Sequence, residues 1–335
     1  MTQEGQDVNP AGRWRRAGRV DPGLRGGRMD AERKYAVLLE RLRATGGVAV
    51  AFSGGVDSSL LLMAAREALG DRVVAVIGRS PTYPVHEEVE AVALARRLGV
   101  RVRIVETTEA GSAAWRANTP DRCYHCKQAL VRRVRAAADE EGLSAVAEGS
   151  NADDAGTHRP GMRAVREGAA LQPLLEVGLT KAEIRELARA RGLPTWDRPS
   201  LACLASRIPY GEPITAERLA RVERAEAAVR ALGFRQVRVR DHGALARVEV
   251  EPEEIARFAD PALRTAVSEA LEVAGYTWSC LDLRGYRTGA MDEALPPSAR
   301  AAEDRPGEPE AGHPPGRRPG RSGAARRRGG RRPGG

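Results

Sequence analysis

The chain has 335 residues, 42% of them hydrophobic and 30% charged, enough for two ordinary domains with a packed core. Its formal net charge of +9 sits at the ends: residues 1–28 carry six Arg against three acids, residues 296–335 carry ten Arg against four acids, and residues 29–295 are neutral. That distribution argues against a folded surface built to grip a polyanion, and no apolar stretch approaches the roughly 18–20 residues of a membrane span.

Both ends are rich in Gly, Pro and Arg and poor in aliphatic residues, so disordered tails are expected over 1–28 and 296–335. With only three lysines among 54 basic residues, the arginine excess reads as compositional bias, and both tails are expected to be dispensable. The Arg-rich start lacks the apolar core of a signal peptide, and four cysteines, two of them in a CxxC, suit a reducing cytosol. A cytoplasmic protein is expected.

The first element after the tail is a short apolar run, Val48 to Phe52, which reads as a strand buried on both faces. It passes through "SGGVDSS" (53–59) into a helix that Gly70 ends. A glycine-rich turn there aims backbone N–H groups and a positive helix end at one point, which suits phosphate; the plain alternative is a tight turn with Ser58 as helix cap. No Lys-Ser/Thr pair follows the glycines, so the Walker pattern is excluded. The stretch instead resembles the PP-loop of the ATP pyrophosphatases, SGGxDSS. That resemblance implies cleavage of ATP between the α and β phosphates, with Ser53, Gly54, Gly55, Asp57, Ser58 and Ser59 holding pyrophosphate and Mg2+.

Strands are predicted over 72–78, 100–107 and from 144 into the polar loop "EGSNADD", with a helix over 85–99 carrying Val85, Val89 and Val92 on one face. Thr180 and Glu183 form a capping box for a helix with Ile184, Leu187 and Ala188, stopped by Gly192 and Pro194. The alternation predicts an α/β fold with a parallel sheet, its ligand site at the strands' carboxyl ends. Asn151 and Asp153 follow the fourth strand and suit the nucleotide or its metal, or simply a turn. The turn-rich "PYGEPIT" (209–215) marks a boundary between a PP-loop (adenine nucleotide α-hydrolase-like) domain, 29–208, and a small α+β domain, 209–295.

"NTPDRCYHCKQALVRRV" places Thr119 as a helix N-cap, Pro120 and Asp121 behind it, and Cys123 and Cys126 on one face near the positive end, where Arg122 and Lys127 also favour thiolates. Cys203 stands in "PSLACLASRIPYG", whereas Cys280, inside "TWSCLDL", reads as core. Four readings remain for the first three: a structural zinc site short of one ligand, a redox pair, a [4Fe-4S] cluster on Cys123, Cys126 and Cys203, or Cys203 acting alone while the CxxC packs.

The ordered motifs "EGSNADD", "GMRAVREGAALQPLLEVGLTKAEIRELAR", "PTWDRPSLACLASRIPYG", "VRVRDHGALARVEV" and "LDLRGYRTGAM" together resemble the LarE family of ATP-dependent sulfur transferases over about residues 30–295. The resemblance implies adenylation of the carboxylates of a pyridinium biscarboxylate mononucleotide and their conversion to thiocarboxylates for a nickel-pincer cofactor. In single-cysteine members the equivalent of Cys203 attacks and surrenders its sulfur. Here Cys123 and Cys126 match members thought to carry a cluster delivering sulfide. A homo-oligomer, hexameric by resemblance, is also implied.

Arg207 is a candidate to steady the acyl phosphate or the thiolate, with a surface arginine the alternative. Arg238, Arg240 and Arg287 are candidates for the substrate's phosphate, with a solvated strand face the alternative for the first two. Trp115 and Tyr83 are candidates to stack on a substrate ring. The rivals are a PP-loop tRNA thiolase, disfavoured by the neutral core; an amidating synthetase, for which no glutaminase segment precedes the loop; and a nucleotide-binding regulatory module without catalysis.

Overall fold

Asp30 caps α1 (Ala31–Arg43) by accepting the Arg33 amide at 2.8 Å, and α1 buries Tyr35, Leu38, Leu39 and Leu42. β1 (Val48–Ala51) leads through the glycine turn into α2 (Val56–Leu69), and β2 (Val73–Arg79), α3 (Val85–Arg97) and β3 (Arg101–Glu106) follow. The short α4 (Ala113–Arg116) precedes α5 (Arg122–Glu140) and β4 (Ala145–Ala147), and α6 (Pro160–Glu167), α7 (Pro173–Glu176) and α8 (Lys181–Ala190) complete this part. A computed structural model of the chain describes residues 30–107, 109–155, 160–199, 202–287 and 289–295. The two predicted tails lie outside them.

The four strands are all parallel in the order β3-β2-β1-β4. Successive side chains of a strand point to opposite faces. Val48 and Val50 accordingly join the α1–α2–α8 core, while Ala49 joins Val131, Val134, Ala137 and Ala138 of α5 on the other face. Both faces are covered, which is why β1 reads as an unbroken apolar run. The connections after β1 and β2 build outward on one side, and the chain then crosses to put β4 on the other side of β1. The carboxyl ends of β1 and β4 therefore flank a topological switch point, the place where open α/β sheets bind ligands.

The second sheet has the order β5-β6-β7, with β5 (Val237–His242) antiparallel to β6 (Leu245–Val250) and β7 (Trp278–Leu281) parallel to it. α9 (Ala216–Ala231) and α10 (Pro261–Ala274) pack on it around Val237, Val239, Val248 and Leu271. The described residues all belong to one compact unit.

Three local expectations are corrected. Val85 and Val89 share a face of α3, but it faces outward (70% and 62% exposed), because Ala91, Leu94 and Ala95 fill the space against the sheet. Cys280 is exposed on the edge strand β7 instead of buried: Trp278, Ser279 and Cys280 are all exposed there, and only Leu281 is partly covered. The N-cap of α5 is Asp121 instead of Thr119: Thr119 Oγ1 bonds the Asp121 carboxylate, and the helix starts two residues later, leaving both cysteines in its first two turns.

Candidate active site

The turn after β1 is compact because Gly54 adopts φ +75°, a conformation that side chains rarely take. Gly55 is the N-cap of α2, not Ser58, and its carbonyl accepts from Ser58 Oγ at 3.1 Å and Ser59 Oγ at 2.8 Å. Ser53 Oγ lies 3.1 Å from Ser58 Oγ. The result is a hydroxyl-lined helix N-terminus whose free backbone N–H groups and dipole favour an anion. Across the switch point, Gly149 brings the loop after β4 so close that an added Cβ would sit 3.0 Å from the Ser58 nitrogen.

Residues from both loops meet at Asp57. Its carboxylate accepts from Asn151 Nδ2 at 3.3 Å and is ion-paired with Lys181 Nζ. Asn151 caps the turn that follows β4, and Asp153 anchors the α8 end by accepting the Lys181 amide at 2.8 Å. Asn151 and Asp153 thus stand where the sequence predicts, and Lys181 is an addition that sequence reasoning missed. A signal existed: in a chain with 54 basic residues, two of its three lysines, Lys127 and Lys181, line this cavity. An ammonium is a compact point charge that arginine's planar fork does not replace.

The cavity has a volume of about 690 Å³ and runs from Ser53 and Asp57 past Lys127 and Tyr83 to Cys203. Lys127 reaches Glu148 at 3.4 Å. Burial opposes the charge of Glu148, but Lys127 and hydrogen bonds from Ser150 and Gln172 outweigh it and hold the carboxyl below its ordinary range.

Cys203 precedes a short turn, Leu204–Arg207, and the Leu204 amide donates to the Thr82 carbonyl at 2.7 Å, which sets the thiol beside Tyr83. The CxxC is joined to this loop by Asn118, fully buried at φ +54°. Its Nδ2 donates to the carbonyls of Ile208, Pro209 and Glu212 at 3.3, 2.7 and 3.0 Å, and its Oδ1 accepts from Arg122 Nη1 at 2.7 Å. Cys126 and Cys203 consequently pack on one apolar cluster with Trp115 and Leu204. Asn118→Ala should cost about 2–4 kcal/mol in chemical denaturation, because the loop carbonyls lose their donor and alanine tolerates positive φ poorly.

The electrostatics correct the expectation of ready thiolates. Burial first, then the neighbouring Cys203, pushes Cys123 up to about 11, against the weaker pull of Arg122 and Lys127. Cys123 keeps surface open to solvent, yet protein crowds its thiol on the other sides. Burial, Glu109, Cys203 and Cys123 raise Cys126 well above a free thiol, and Tyr83 is raised by the same group, Cys126 foremost. Without a bound cation, the desolvated site disfavours further negative charge. Glu109 sharpens this: it is buried, and neither of its carboxylate oxygens has a partner among the described residues. Also among the described residues, no three His, Cys, Asp or Glu side chains stand close enough to hold a single metal ion, so no mononuclear zinc site is assembled.

Arg207 is neither on the surface nor free to contact a substrate. It is 2% exposed and forms a two-pronged pair with Glu226 at 2.7 and 2.9 Å. Its Nη1 donates to the Ala202 and Cys203 carbonyls at 2.6 and 2.9 Å. Burial alone would lower its pKa, but Glu226, with help from Cys203 and Glu87, raises it. Its geometry is that of a clamp on the Cys203 loop. Removing one partner of a buried pair strands the other, so Arg207→Met should lose roughly 3–5 kcal/mol of stability, measured by urea denaturation.

Arg238 and Arg240 are buried, which corrects the solvated-face alternative. Arg240 pairs with Glu249 at 2.6 and 2.9 Å and donates to the Ser206 carbonyl at 3.0 Å, tying the second sheet to the Cys203 loop. Arg238 lies 5.2 Å from the Tyr286 ring centroid, and burial, with Arg207 and Arg240 nearby, pulls it down to about 10. Arg287 pairs with Glu293 at 2.8 Å and Asp282 at 3.5 Å. None of the three lines the cavity. Trp115 is sealed in the core and so is removed as a stacking residue, whereas Tyr83 lines the cavity.

Known proteins resemble this chain over much of its length. Residues 35–141 match the NAD synthase family. The chain is 39% identical over 246 residues to an uncharacterised protein of Synechocystis sp., covering 73% of this chain and 92% of that one. It is 35% identical over 263 residues to pyridinium-3,5-bisthiocarboxylic acid mononucleotide synthase of Lactiplantibacillus plantarum, covering 78% of this chain and 95% of the relative. An argininosuccinate synthase of Haloarcula marismortui matches at 34% over 161 residues, 44% of this chain and 38% of its own.

Proposed function

The chain belongs to the LarE family of PP-loop sulfur transferases, and we propose that it adenylates the carboxylates of pyridinium-3,5-biscarboxylic acid mononucleotide and converts them to thiocarboxylates in nickel-pincer cofactor synthesis. The observation that carries the reading is that one cavity joins the phosphate-binding turn to Cys203. ATP supplies the leaving group, since a carboxylate oxygen leaves poorly and AMP leaves readily. Ser53, Gly54, Gly55, Ser58 and Ser59 receive the pyrophosphate. Lys181 neutralises its growing charge, and Asp57, with Asn151 and Asp153, serves Mg2+ and the nucleotide. Arg207 acts at one remove, holding the Cys203 loop in register. Arg238, Arg240 and Arg287 do not line this cavity, and Arg240 and Arg287 are held by carboxylates, so we do not assign the substrate's phosphate to them. We place the enzyme in the cytoplasm as a homo-oligomer; among the described residues no helix is long and apolar enough to cross a membrane.

For the sulfur source we favour a [4Fe-4S] cluster on Cys123, Cys126 and Cys203. Cys126 lies within electrostatic reach of Cys123, Cys203 and the unpartnered Glu109, so this pocket gains from positive charge, although among the described residues the three thiols do not converge on one ion position. When bound, such a cluster would hold an exogenous hydrosulfide against the acyl adenylate. The alternative is that Cys203 attacks the acyl adenylate, releasing AMP and forming a thioester, and that β-elimination then breaks its Cβ–S bond, leaving sulfur on the product and dehydroalanine in the chain. Anaerobic iron analysis with intact-mass spectrometry after turnover separates the two. We expect iron, repeated turnover with sulfide and an unchanged polypeptide. Stoichiometric dehydroalanine at Cys203, with Cys123→Ala and Cys126→Ala still active, would overturn the cluster and leave the sulfur transferase standing.

A further inference from the structure

The cavity must accept anions: ATP at one end, and at the other a substrate with two carboxylates and a phosphate. Yet a carboxylate, Glu87 in the first turn of α3, lines it. Its side chain accepts no hydrogen bond and joins no ion pair among the described residues. Four guanidinium groups influence it from a distance, but each is engaged elsewhere: Arg198 with Glu90 and the Gly54 carbonyl, Arg207 and Arg230 with Glu226, and Arg238 with the Val237 carbonyl. Burial raises the pKa of Glu87 despite those charges, the behaviour of a carboxylate short of a close cation.

We propose that Glu87 selects the positively charged ring of the substrate, its carboxylate facing the pyridinium nitrogen while Tyr83 covers the ring from the same wall. This inference rests on the sulfur-transferase reading. The position follows from the chemistry. Glu87 and Cys203 line one cavity and both act on Arg207, while Ala91, one turn after Glu87, packs on Gly54, so Glu87 stands between the thiol and the nucleotide turn. A substrate carboxylate that receives sulfur must lie against Cys203, and the ring nitrogen is only a meta position away from it. The positive charge of the ring therefore falls in the region of Glu87 and offsets the repulsion that a lone carboxylate would otherwise exert on an anionic substrate. Mg2+ is the competing cation, because Ala91, one turn after Glu87 on α3, packs against Gly54 of the nucleotide turn; the titration therefore includes MgATP.

Calorimetric titration of the full chain with pyridinium-3,5-biscarboxylic acid mononucleotide tests this, alongside an isostere in which carbon replaces the ring nitrogen. Glu87→Gln should weaken the pyridinium ligand by about tenfold, the size of one modest charge contact, and leave the neutral-ring isostere and MgATP unchanged. Glu87→Asp should keep the preference for the charged ring, which guards against a variant that merely folds poorly. Equal loss for both rings, no loss for either, or a shifted Mg2+ requirement would overturn the proposal. If the wild-type chain does not bind the pyridinium compound, the sulfur-transferase reading fails and this inference fails with it.

Discussion

Cys203→Ala should abolish thiocarboxylate formation, by about 10⁴-fold or more, while ATP is still cut to AMP and pyrophosphate in a single burst. The two halves of the result come from the two ends of the cavity. The phosphate turn is built from Ser53, Gly55, Ser58 and Ser59, whose mutual hydrogen bonds do not involve the thiol. Adenylation should therefore survive. Both sulfur routes need Cys203, either as nucleophile or as one of three cluster ligands. Stability should change little, because Cys203 is only partly buried and its loop is fixed by the Leu204–Thr82 backbone bond and by Arg207. A variant that lost the burst as well would show that the thiol is needed to shape the nucleotide site.

Asp57→Asn should give the opposite separation, with pyrophosphate release falling by about 10²–10³-fold and the fold retained. The side chain is partly open to the cavity and meets Lys181 and Asn151 instead of core. Asparagine keeps the shape and one acceptor for Lys181 but removes the charge that we propose serves Mg2+. Lys181→Met should lose activity similarly, since it leaves Asp57 uncompensated and the pyrophosphate without its ammonium. Calorimetric melting alongside a pyrophosphate assay checks both variants. An unchanged burst in either would remove that residue from the nucleotide site.

The parts of the fold that could be read from the sequence were those specified by neighbours in the chain. β1 is buried on both faces and so is a continuous apolar run, its glycine turn is contiguous, and the capping box of α8 needs only Thr180 and Glu183. What escaped depends on partners far away in the chain. Lys181 meets Asp57 across 124 residues, and Asn118 reaches a loop 90 to 94 residues further on. Arg240 looked free because the carboxylate that claims it, Glu249, is on the adjacent strand. Cys280 looked buried because an apolar run does not reveal that its strand lies at a sheet edge. The thiols looked acidic because helix ends and cations are visible in sequence, whereas the desolvation that overrides them appears only in the packed site.

The joining of ATP cleavage to sulfur transfer in one cavity is tested most directly by anaerobic reaction of the full chain with ATP, Mg2+, sulfide and pyridinium-3,5-biscarboxylic acid mononucleotide, followed by mass spectrometry of the small molecules. AMP and pyrophosphate should appear in proportion to a product in which sulfur has replaced carboxylate oxygen, with both reduced by about 10²–10³-fold in Asp57→Asn and only AMP and pyrophosphate formed by Cys203→Ala. Release of ADP and inorganic phosphate, or AMP formation with the mononucleotide returned unchanged by the wild-type protein, would contradict that joining.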